Sequence, residues 1–507
     1  MVQSAPVDKL QQRVEKLGGI LDVAKALVAE RDLDRLLKMI VQSAARVVEA
    51  DRCTLFLVDR ERGELWSKVA QGVQMKEIRI PMDRGIAGAV ATTNTAVNIP
   101  DAYQDPRFNQ AVDKQTGYHT LSILCVPMRS AEGETVGVLQ ALNKQGEVPF
   151  SPFSDEDEEL LSALGGQAAA AVNNALLHQE IEQLFEGFVR ASVVAIESRD
   201  PTTAGHSGRV ARLSVGLADA LPRAGSGAGI WSGASLSTQE RQELRYAALL
   251  HDFGKVGVRE NVLVKANKLE PLELDGLRGR FETILVQEEL LSEREKVKLL
   301  LGCRPDEASQ RLAEIDAKLA ARKLELNSMF DFVLTCNKPT ILAEGSFGRL
   351  DEIARSTFLS PFNGEARPFL NENEKLKLSI RKGSLTEEER REIESHVTHT
   401  FRFLSQIPWT RTLRNVPNIA YGHHEKLTGR GYPRSLKEPE IALPTRMMTI
   451  SDIFDALTAS DRPYKRAVPK EKAYDILLDE AKRGEVDKDL LTVFIEADVA
   501  GKAPQEP

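Results

Sequence analysis

From residue 186 to its end, this 507-residue chain carries almost no strand signal, whereas short strand-like segments crowd residues 53–143. A pattern split in this way calls for two cores of different kinds, and the length already exceeds what one ordinary core holds. In the first part, CTLFLVD (53–59) and ELWSKVA (64–70) flank the turn-like RERG, and SILCVPM (122–128) and TVGVLQALN (135–143) flank RSAEGE. Helices are expected before them, over about 33–48, and after them, from Ser154 onward. That order predicts an α+β domain with an antiparallel sheet. Leu10, Val14, Leu17, Leu21, Ala24 and Val28 recur at helical spacing and predict an opening helix over residues 1–30.

The helix from Ser154 is expected to run to about Ser198. Leu161, Leu164, Ala168, Ala171, Leu176, Ile181, Leu184 and Phe188 give it a seam close to a heptad repeat. Its first half suits packing on its own domain. Its second half suits either that or a two-chain coiled coil joining two domains. Beyond it, PRAGSGAGIWSGAS (222–235) reads as a loop. Ser237 with Glu240, and Thr386 with Glu389, have the spacing of capping boxes that open helices just before His251 and His396. The charged helical stretch between them, about 270–384, contains no histidine and reads as an insertion. It is expected to form a helical hairpin or lid, with a partner-binding arm as the alternative.

Composition is that of a globular protein, 42% hydrophobic and 28% charged. A formal charge of −8 without a strong basic block argues against a nucleic-acid polymer as partner. The N-terminal residues lack the secretory pattern, and no uninterrupted apolar stretch is long enough for a bilayer. Cys53, Cys125, Cys303 and Cys336 lie far apart with no CxxC pair. The expectation is four reduced thiols in a cytoplasmic protein and no structural zinc.

Six of the eight histidines fall in the helical part, in GHSGRV (205–210), HDFGK (251–255), ESHVTHTF (394–401) and YGHHEKLTGRGYP (421–433). SDIFDALT (451–458) adds Asp452 and Asp455, one turn apart on an expected helix. Any one of these histidines alone reads as a hydrogen-bonded core residue. The set, spread over separate helices beside Gly-Lys and Gly-Tyr-Pro, reads as a site for divalent iron, manganese, zinc or cobalt. A His-Asp pair at a helix end can offer a ligand to each of two metals, with the carboxylate between them. Two such ions generate hydroxide at neutral pH and clamp a phosphate. His399 has no motif of its own and reads as structural or surface. His119 and His178 lie in the first part and read as bystanders.

RDPTTAGHSGRVARL, LLHDFGKVGV, LTEEERREIESH, HHEKLTGRGYP and SDIFDALTASDRPYKRA together resemble the HD-GYP family, phosphohydrolases that cleave cyclic di-GMP. The resemblance covers about 190–265 and 380–500. It implies an all-α fold and a two- or three-metal centre of iron or manganese. One metal would take His206, His251, Asp252 and Asp452, and the other Asp252, His396, His423 and His424. Lys255 would contact the scissile phosphate, Tyr432 the nucleotide, and Arg462 and Lys465 the other phosphate. Three departures bear on this. Thr202 stands where some members have a glutamate for a third metal, so two ions are expected. Thr428 stands where the family often has aspartate. The insertion separates the second and third metal motifs.

CTLFLVDRERGELWSKVA, VGVLQALNK and FSPFSDEDEELL resemble a GAF domain of the cyclic-nucleotide-binding kind over about 31–178. Asn143, Lys144, Phe153, Asp157 and Glu158 match that family's NKFDE pattern, in which the lysine pairs with the aspartate beneath the pocket. The implied protein is a cytoplasmic homodimer. A GAF sensor over 31–178 for a small ligand such as a cyclic nucleotide, or a GAF used only for dimerisation, continues as a helix to about 192. An HD-GYP phosphodiesterase follows over 186–507. Its expected substrate is a cyclic dinucleotide, cyclic di-GMP before cyclic GMP-AMP. A non-catalytic cyclic-dinucleotide receptor is the alternative.

Overall fold

The computed structural model describes residues 25–502 apart from 28, 31, 69–76, 146–150, 201–203, 303–304, 344 and 460–466. It divides into two compact units at Gly187/Phe188. The expected opening helix lies almost wholly outside the described residues. Of its described part, Leu27 is buried in the first unit's core.

The first unit is a six-stranded antiparallel sheet with helices on both faces, the architecture its strand pattern predicts. Helix α1 (Leu33–Val47) starts at Asp32, whose carboxylate accepts from Arg35 N at 2.8 Å. Strands β1 (Ala50–Asp59), β2 (Glu64–Ser67) and β3 (Ile78–Pro81) precede α2 (Gly85–Thr93). Then come β4 (Val97–Ile99), α3 (Gln110–Thr116), β5 (Ile123–Arg129) and β6 (Thr135–Lys144). The strand order is β3-β2-β1-β6-β5-β4. Alternation sorts the core into two layers. Cys53, Leu55 and Leu57 of β1, with Leu124, Val126 and Met128 of β5, pack with α1 and the following helix. Phe56, Ile123, Cys125 and Val138 point the other way, onto α2.

Helix α4 runs unbroken from Asp155 to Arg199. Ser154 and Asp157 cap it reciprocally, Ser154 N donating to Asp157 at 2.9 Å and Asp157 N to Ser154 Oγ at 3.2 Å. Leu161, Leu164, Ala168, Ala169 and Val172 bury its first half in the sheet core. By length and composition α4 is the one described helix apolar enough for a bilayer, and half of its most apolar window is buried within the protein. The NKFDE residues fasten this helix to the sheet. Lys144 Nζ lies 2.8 Å from Asp157 Oδ1 and donates to Val48 O at 3.0 Å. Asn143 receives Leu121 N at 2.7 Å and donates to His119 O at 2.8 Å, Phe153 is buried, and Glu158 N donates to Ser154 O in the first turn of α4.

The second unit is mostly helical. It comprises α5 (His206–Ala220), α6 (Thr238–Leu250), the single turn α7 (Glu260–Leu263), α8 (Pro271–Gly302), α9 (Pro305–Asn337) and α10 (Gly345–Arg355). After these come α11 (Glu372–Leu378), α12 (Glu387–Leu404), α13 (Val416–Tyr421), α14 (Leu443–Thr458), α15 (Lys470–Lys482), α16 (Lys488–Glu496) and α17 (Val499–Lys502). Both expected capping boxes form, at Ser237/Glu240 and Thr386/Glu389.

Two expectations need correction. Much of the expected loop at 222–235 winds into 3-10 turns, Leu221–Arg223 and Gly225–Trp231. Asp489 accepts from Ile230 N and Asp487 from Trp231 Nε1, so the start of α16 supplies the partners that hold this segment. The second unit also contains a short antiparallel hairpin, β7 (Thr357–Leu359) and β8 (Ala366–Pro368).

The insertion has a core of its own, with Leu277, Phe281, Ile284, Leu326, Val333, Leu350, Phe369 and Leu378 among its buried residues. Its ends meet where Ser384 Oγ donates to Lys265 O at 3.0 Å, and Lys265 pairs with Glu389 at 2.6 Å. The chain leaves and returns at one point, so the helices on either side can close around a common site.

Removing the Lys144 ammonium would leave Asp157, 3% exposed, without its cation. Lys144→Ala is expected to lower the stability of the first unit by about 3 kcal/mol. Urea unfolding followed through Trp66, the unit's only tryptophan, measures it.

Candidate metal centre

Five segments of the second unit converge on one buried cluster. His206 is the first residue of α5, His251 ends α6, His396 lies in α12, His423 and His424 follow α13, and Asp452 lies in α14. His206, His251, His396 and His423 are each no more than 3% exposed. The ligand atoms of His206, His251 and Asp452 lie within 4.8 Å of one another, and so do those of His396, His423 and His424. Asp252 sits between the two trios. Its Oδ2 is 3.7 Å from His206 Nε2 and 3.6 Å from His251 Nε2, and its Oδ1 is 3.4 Å from His396 Nε2.

Hydrogen bonds decide what the rings offer. The Nδ1 atoms of His251, His396 and His423 face the carbonyls of Ala248, Ile393 and Ala420 at 2.8, 2.6 and 2.7 Å. A carbonyl only accepts, so each Nδ1 carries the proton and each Nε2 presents a lone pair. The Nε2 of His251 is buried with no hydrogen-bond partner. The Nε2 atoms of His396 and His423 face each other at 3.4 Å. Orphaned or opposed lone pairs in a buried cluster are the donor set that a divalent cation satisfies, so the residues fit metal ions.

Charge follows the same division. Burial disfavours a protonated His206, yet its hydrogen bonds to Asp452 and Asp455 and the nearby Asp252 outweigh this and raise it to about 9. His396 has Asp252 nearby and His423 has Asp452, but neither attraction offsets burial. Burial lowers both, His423 further because His424 and His251 crowd it. Burial, with His396 nearby, brings His424 down to about 4. Burial opposes the charge of Asp252, but Lys255 and the surrounding histidines hold it well below the usual carboxylate range. Lys255 Nζ reaches Asp252 Oδ2 at 2.9 Å and Asp200 Oδ2 at 3.1 Å. Burial works against this ammonium too, and the two aspartates raise it regardless.

The turn between α6 and α7 makes the cluster possible. Thr400 Oγ1 donates to His251 O at 2.8 Å and accepts from Gly254 N at 2.8 Å, fixing α12 against the end of α6. Phe253 stacks on Phe403 at 3.7 Å. A Cβ on Gly254 would lie 1.9 Å from His396 O, so this crossing tolerates only glycine. Farther along, buried Glu243 receives Asn415 N at 2.8 Å before α13, and Thr449 Oγ1 donates to His423 O at 3.0 Å. Buried Glu425 receives Arg434 N and Leu436 N, which closes the loop carrying Tyr432. The Tyr432 ring lies 4.8 Å from that of His424. Tyr432, His424 and Lys255 are only part-buried, so the cluster opens on their side.

All seven expected metal ligands come together, with Lys255 and Tyr432 beside them. Arg462, Lys465 and Thr202 lie outside the described residues. Thr428 bridges to Lys437 within its loop. His399 packs on Gly257 and belongs to neither trio; His178 is exposed, and His119 contacts Tyr103. Sequence reasoning gave no role to Asp455, which accepts from His206 Nδ1 at 2.7 Å and from Arg209 Nε at 2.7 Å, or to Asp200. Asp455 fixes the His206 ring as a carboxylate does behind a metal-bound imidazole. Cys53, Cys125 and Cys336 are buried thiols outside any disulfide, and Cys303 lies outside the described residues.

The first unit holds a separate cavity of about 840 Å³. Thr54, Phe56, Gln140 and Leu142 line its sheet side, and Arg84 and Ile86 line it at the start of α2. Arg52 lies 3.8 Å over the Tyr118 ring at its edge, and Asn143 Nδ2 donates to the Tyr118 hydroxyl at 3.0 Å.

Comparison with known families agrees with this division. A GAF-domain model matches residues 32–172, and two HD-domain models match 203–325 and 373–490. The chain thus contains a GAF domain followed by an HD domain, a metal-dependent class. Over 168 residues it is 38% identical to a dual 3′,5′-cyclic-AMP and -GMP phosphodiesterase 11A of Takifugu rubripes, covering 31% of this chain and 18% of that protein. Over 177 residues it is 33% identical to a probable 3′,5′-cyclic phosphodiesterase, pde-5, of Caenorhabditis elegans, covering 32% and 24%. The chain therefore spans less than a quarter of the length of these curated relatives. Among solved structures, the GAF domain of a phosphoenolpyruvate-protein phosphotransferase from Coxiella burnetii matches at 23% identity. It covers 32% of this chain and 96% of that one, with a TM-score of 0.30.

Gly254→Ala is expected to push α12 off the end of α6 and to lower metal content measured by elemental analysis. Gly166→Ala, where a Cβ meets nothing within 4 Å, is the control and should leave metal content unchanged.

Proposed function

We propose that the protein is a metal-dependent phosphodiesterase acting on a cyclic nucleotide, with cyclic di-GMP as substrate and the GAF domain as regulator. The carrying observation is Asp252, which presents one oxygen to the His206/His251 side and the other to His396. Two ions are proposed: His206, His251, Asp252 and Asp452 hold one, and Asp252, His396, His423 and His424 hold the other. Iron or manganese suits this mix of imidazole and carboxylate. When bound, such a pair makes water acidic enough to attack phosphorus near neutral pH and offsets phosphate charge.

The chain's own residues supply the rest. Asp200 and Asp252 keep the Lys255 ammonium beside the cluster, where it would hold a phosphate oxygen. Asp455 and Arg209 keep the His206 ring in place. The Tyr432 ring, held beside His424, would offer its face to a base. Arg462 and Lys465 would take the second phosphate by the family resemblance. The HD-GYP motifs favour a cyclic dinucleotide. The phosphodiesterase relatives, named for cyclic AMP and cyclic GMP, favour phosphodiester chemistry and make the mononucleotides the second reading.

Protein reconstituted without oxygen with iron(II) or manganese(II) should hold about two ions per chain. It should cleave cyclic di-GMP faster than cyclic GMP-AMP, cyclic AMP or cyclic GMP, as followed by chromatography. Asp252→Ala should lose both ions and all turnover while keeping its helical circular dichroism. Wild-type turnover in that variant would refute the site, and preference for a mononucleotide would replace the substrate.

The α4 stripe Leu177, Ile181 and Leu184, 53%, 55% and 77% exposed at heptad spacing, supports a homodimer. The GAF cavity is proposed to take a cyclic mononucleotide. Its occupation should alter turnover by roughly 5- to 150-fold, the usual range of such coupling. Titration calorimetry of the full chain with cyclic GMP and cyclic AMP, beside activity measurements, checks this. No binding by either nucleotide would leave the GAF domain a dimerisation module.

A further inference from the structure

Helices α5, α6, α16 and α17 surround an open cavity of about 870 Å³. No residue of the histidine–aspartate cluster lines it. Its size is that of small-molecule sites. Along α5 it runs from Gly208 to Ala220, roughly 18 Å at the helical rise. Its wall is largely apolar, with Ala211 and Val215 from α5, Leu249 from α6, Val493 from α16 and Val499 from α17.

Charge selects the occupant. Arg212, Arg223, Arg245 and Lys502 line the same cavity, against Asp219 and Glu496. Asp219 is already paired with Arg241 at 2.6 Å. Asp498, one turn before Lys502, is already paired with Lys470. Cations therefore prevail here, in a chain whose formal charge is −8. Arg212 and Arg245 are half-buried, so their stems extend the apolar wall while their heads add to its positive field. Arg223 and Lys502 are exposed. Water or an inorganic anion would suit the cations and leave the apolar wall wet. A neutral hydrocarbon would cover the wall and strip the cations of water without replacing it. One chemistry meets both demands. We propose that this cavity binds an organic anion with an elongated apolar body, a carboxylate carried on an alkyl chain. Guanidinium groups suit the carboxylate, and the groove along α5 suits the chain. The inference does not depend on the hydrolase reading, and the site is separate from the cavity of the GAF domain.

Calorimetric titration of the full-length protein with decanoate tests it. Decanoate should bind saturably. Decanol, with the chain and no charge, and inorganic phosphate, with charge and no chain, should bind roughly tenfold more weakly or worse. Arg223→Glu combined with Lys502→Glu should weaken decanoate binding roughly tenfold. Val215→Glu, at a half-buried wall position, should weaken it as well. Lys482→Glu, an exposed position on α15 that does not line the cavity, should leave it unchanged. Arg223 and Lys502 are exposed, and unchanged circular dichroism confirms folding of the double variant. Equal decanoate affinity in the double variant and the parent, as when the anion binds elsewhere, would overturn the proposal. So would decanol binding as tightly as decanoate. Absence of saturable binding, as when a second copy of the chain covers the groove, would overturn it too.

Discussion

One buried carboxylate organises the second unit. Asp252 is 5% exposed and lies between two groups of histidines. An ionised carboxylate taken out of water costs several kcal/mol unless charges surround it. Lys255 and the protonated His206 supply such charges, both near its Oδ2. To place Asp252 there, α6 must stop at His251, the chain must turn at once, and α12 must approach closely enough to bring His396 opposite. Gly254 and Thr400 satisfy the last two conditions in one crossing. The packing of α6 on α12 and the chemistry of the cluster are therefore the same constraint.

The insertion leaves this constraint intact because it closes on itself. Lys265, Ser384 and Glu389 tie its two ends together before α12 begins. Its apolar core contains no residue of the histidine–aspartate cluster. A segment inserted this way can acquire a surface of its own. The outward side of α8, where Val286, Leu290, Val297 and Leu301 are exposed, is such a surface, since Leu277, Phe281 and Ile284 on the opposite side fill the core.

Much of this was legible in the sequence, for physical reasons that differ by element. The β1, β5 and β6 segments are buried on one or both faces, so their apolar content announces them. The capping boxes are local, and Ser237/Glu240 and Thr386/Glu389 form as read. The histidine–aspartate cluster is assembled from distant segments and was legible only because its residue types are rare together. Asp455 stood out beside Asp452, but its role behind His206 escaped because the two residues are 249 positions apart. The turns at 221–231 escaped because Asp487 and Asp489, near the C-terminus, provide their anchors. The β7–β8 hairpin escaped because each strand has three residues, too few for alternation to register.

The charge of the cluster bears on what it can bind. Asp200, Asp252, Asp452 and Asp455 lie within one hydrogen-bonded and ion-paired set, and the side-chain cations in it with no metal role are Lys255 and Arg209. The histidines other than His206 that are lowered by burial, His396, His423 and His424, add no positive charge at neutral pH. Alone, these aspartates outnumber the cations around them, in a protein whose formal charge is already −8. A phosphate diester entering beside His424 and Tyr432 would meet repulsion. In the proposed two-ion state the same shell carries net positive charge, and His206 gives up its ring proton to act as a ligand. Metal loading and substrate affinity are then linked through one electrostatic balance. A loss of carboxylate that empties the ions should therefore weaken phosphate binding, even though it removes negative charge from the site.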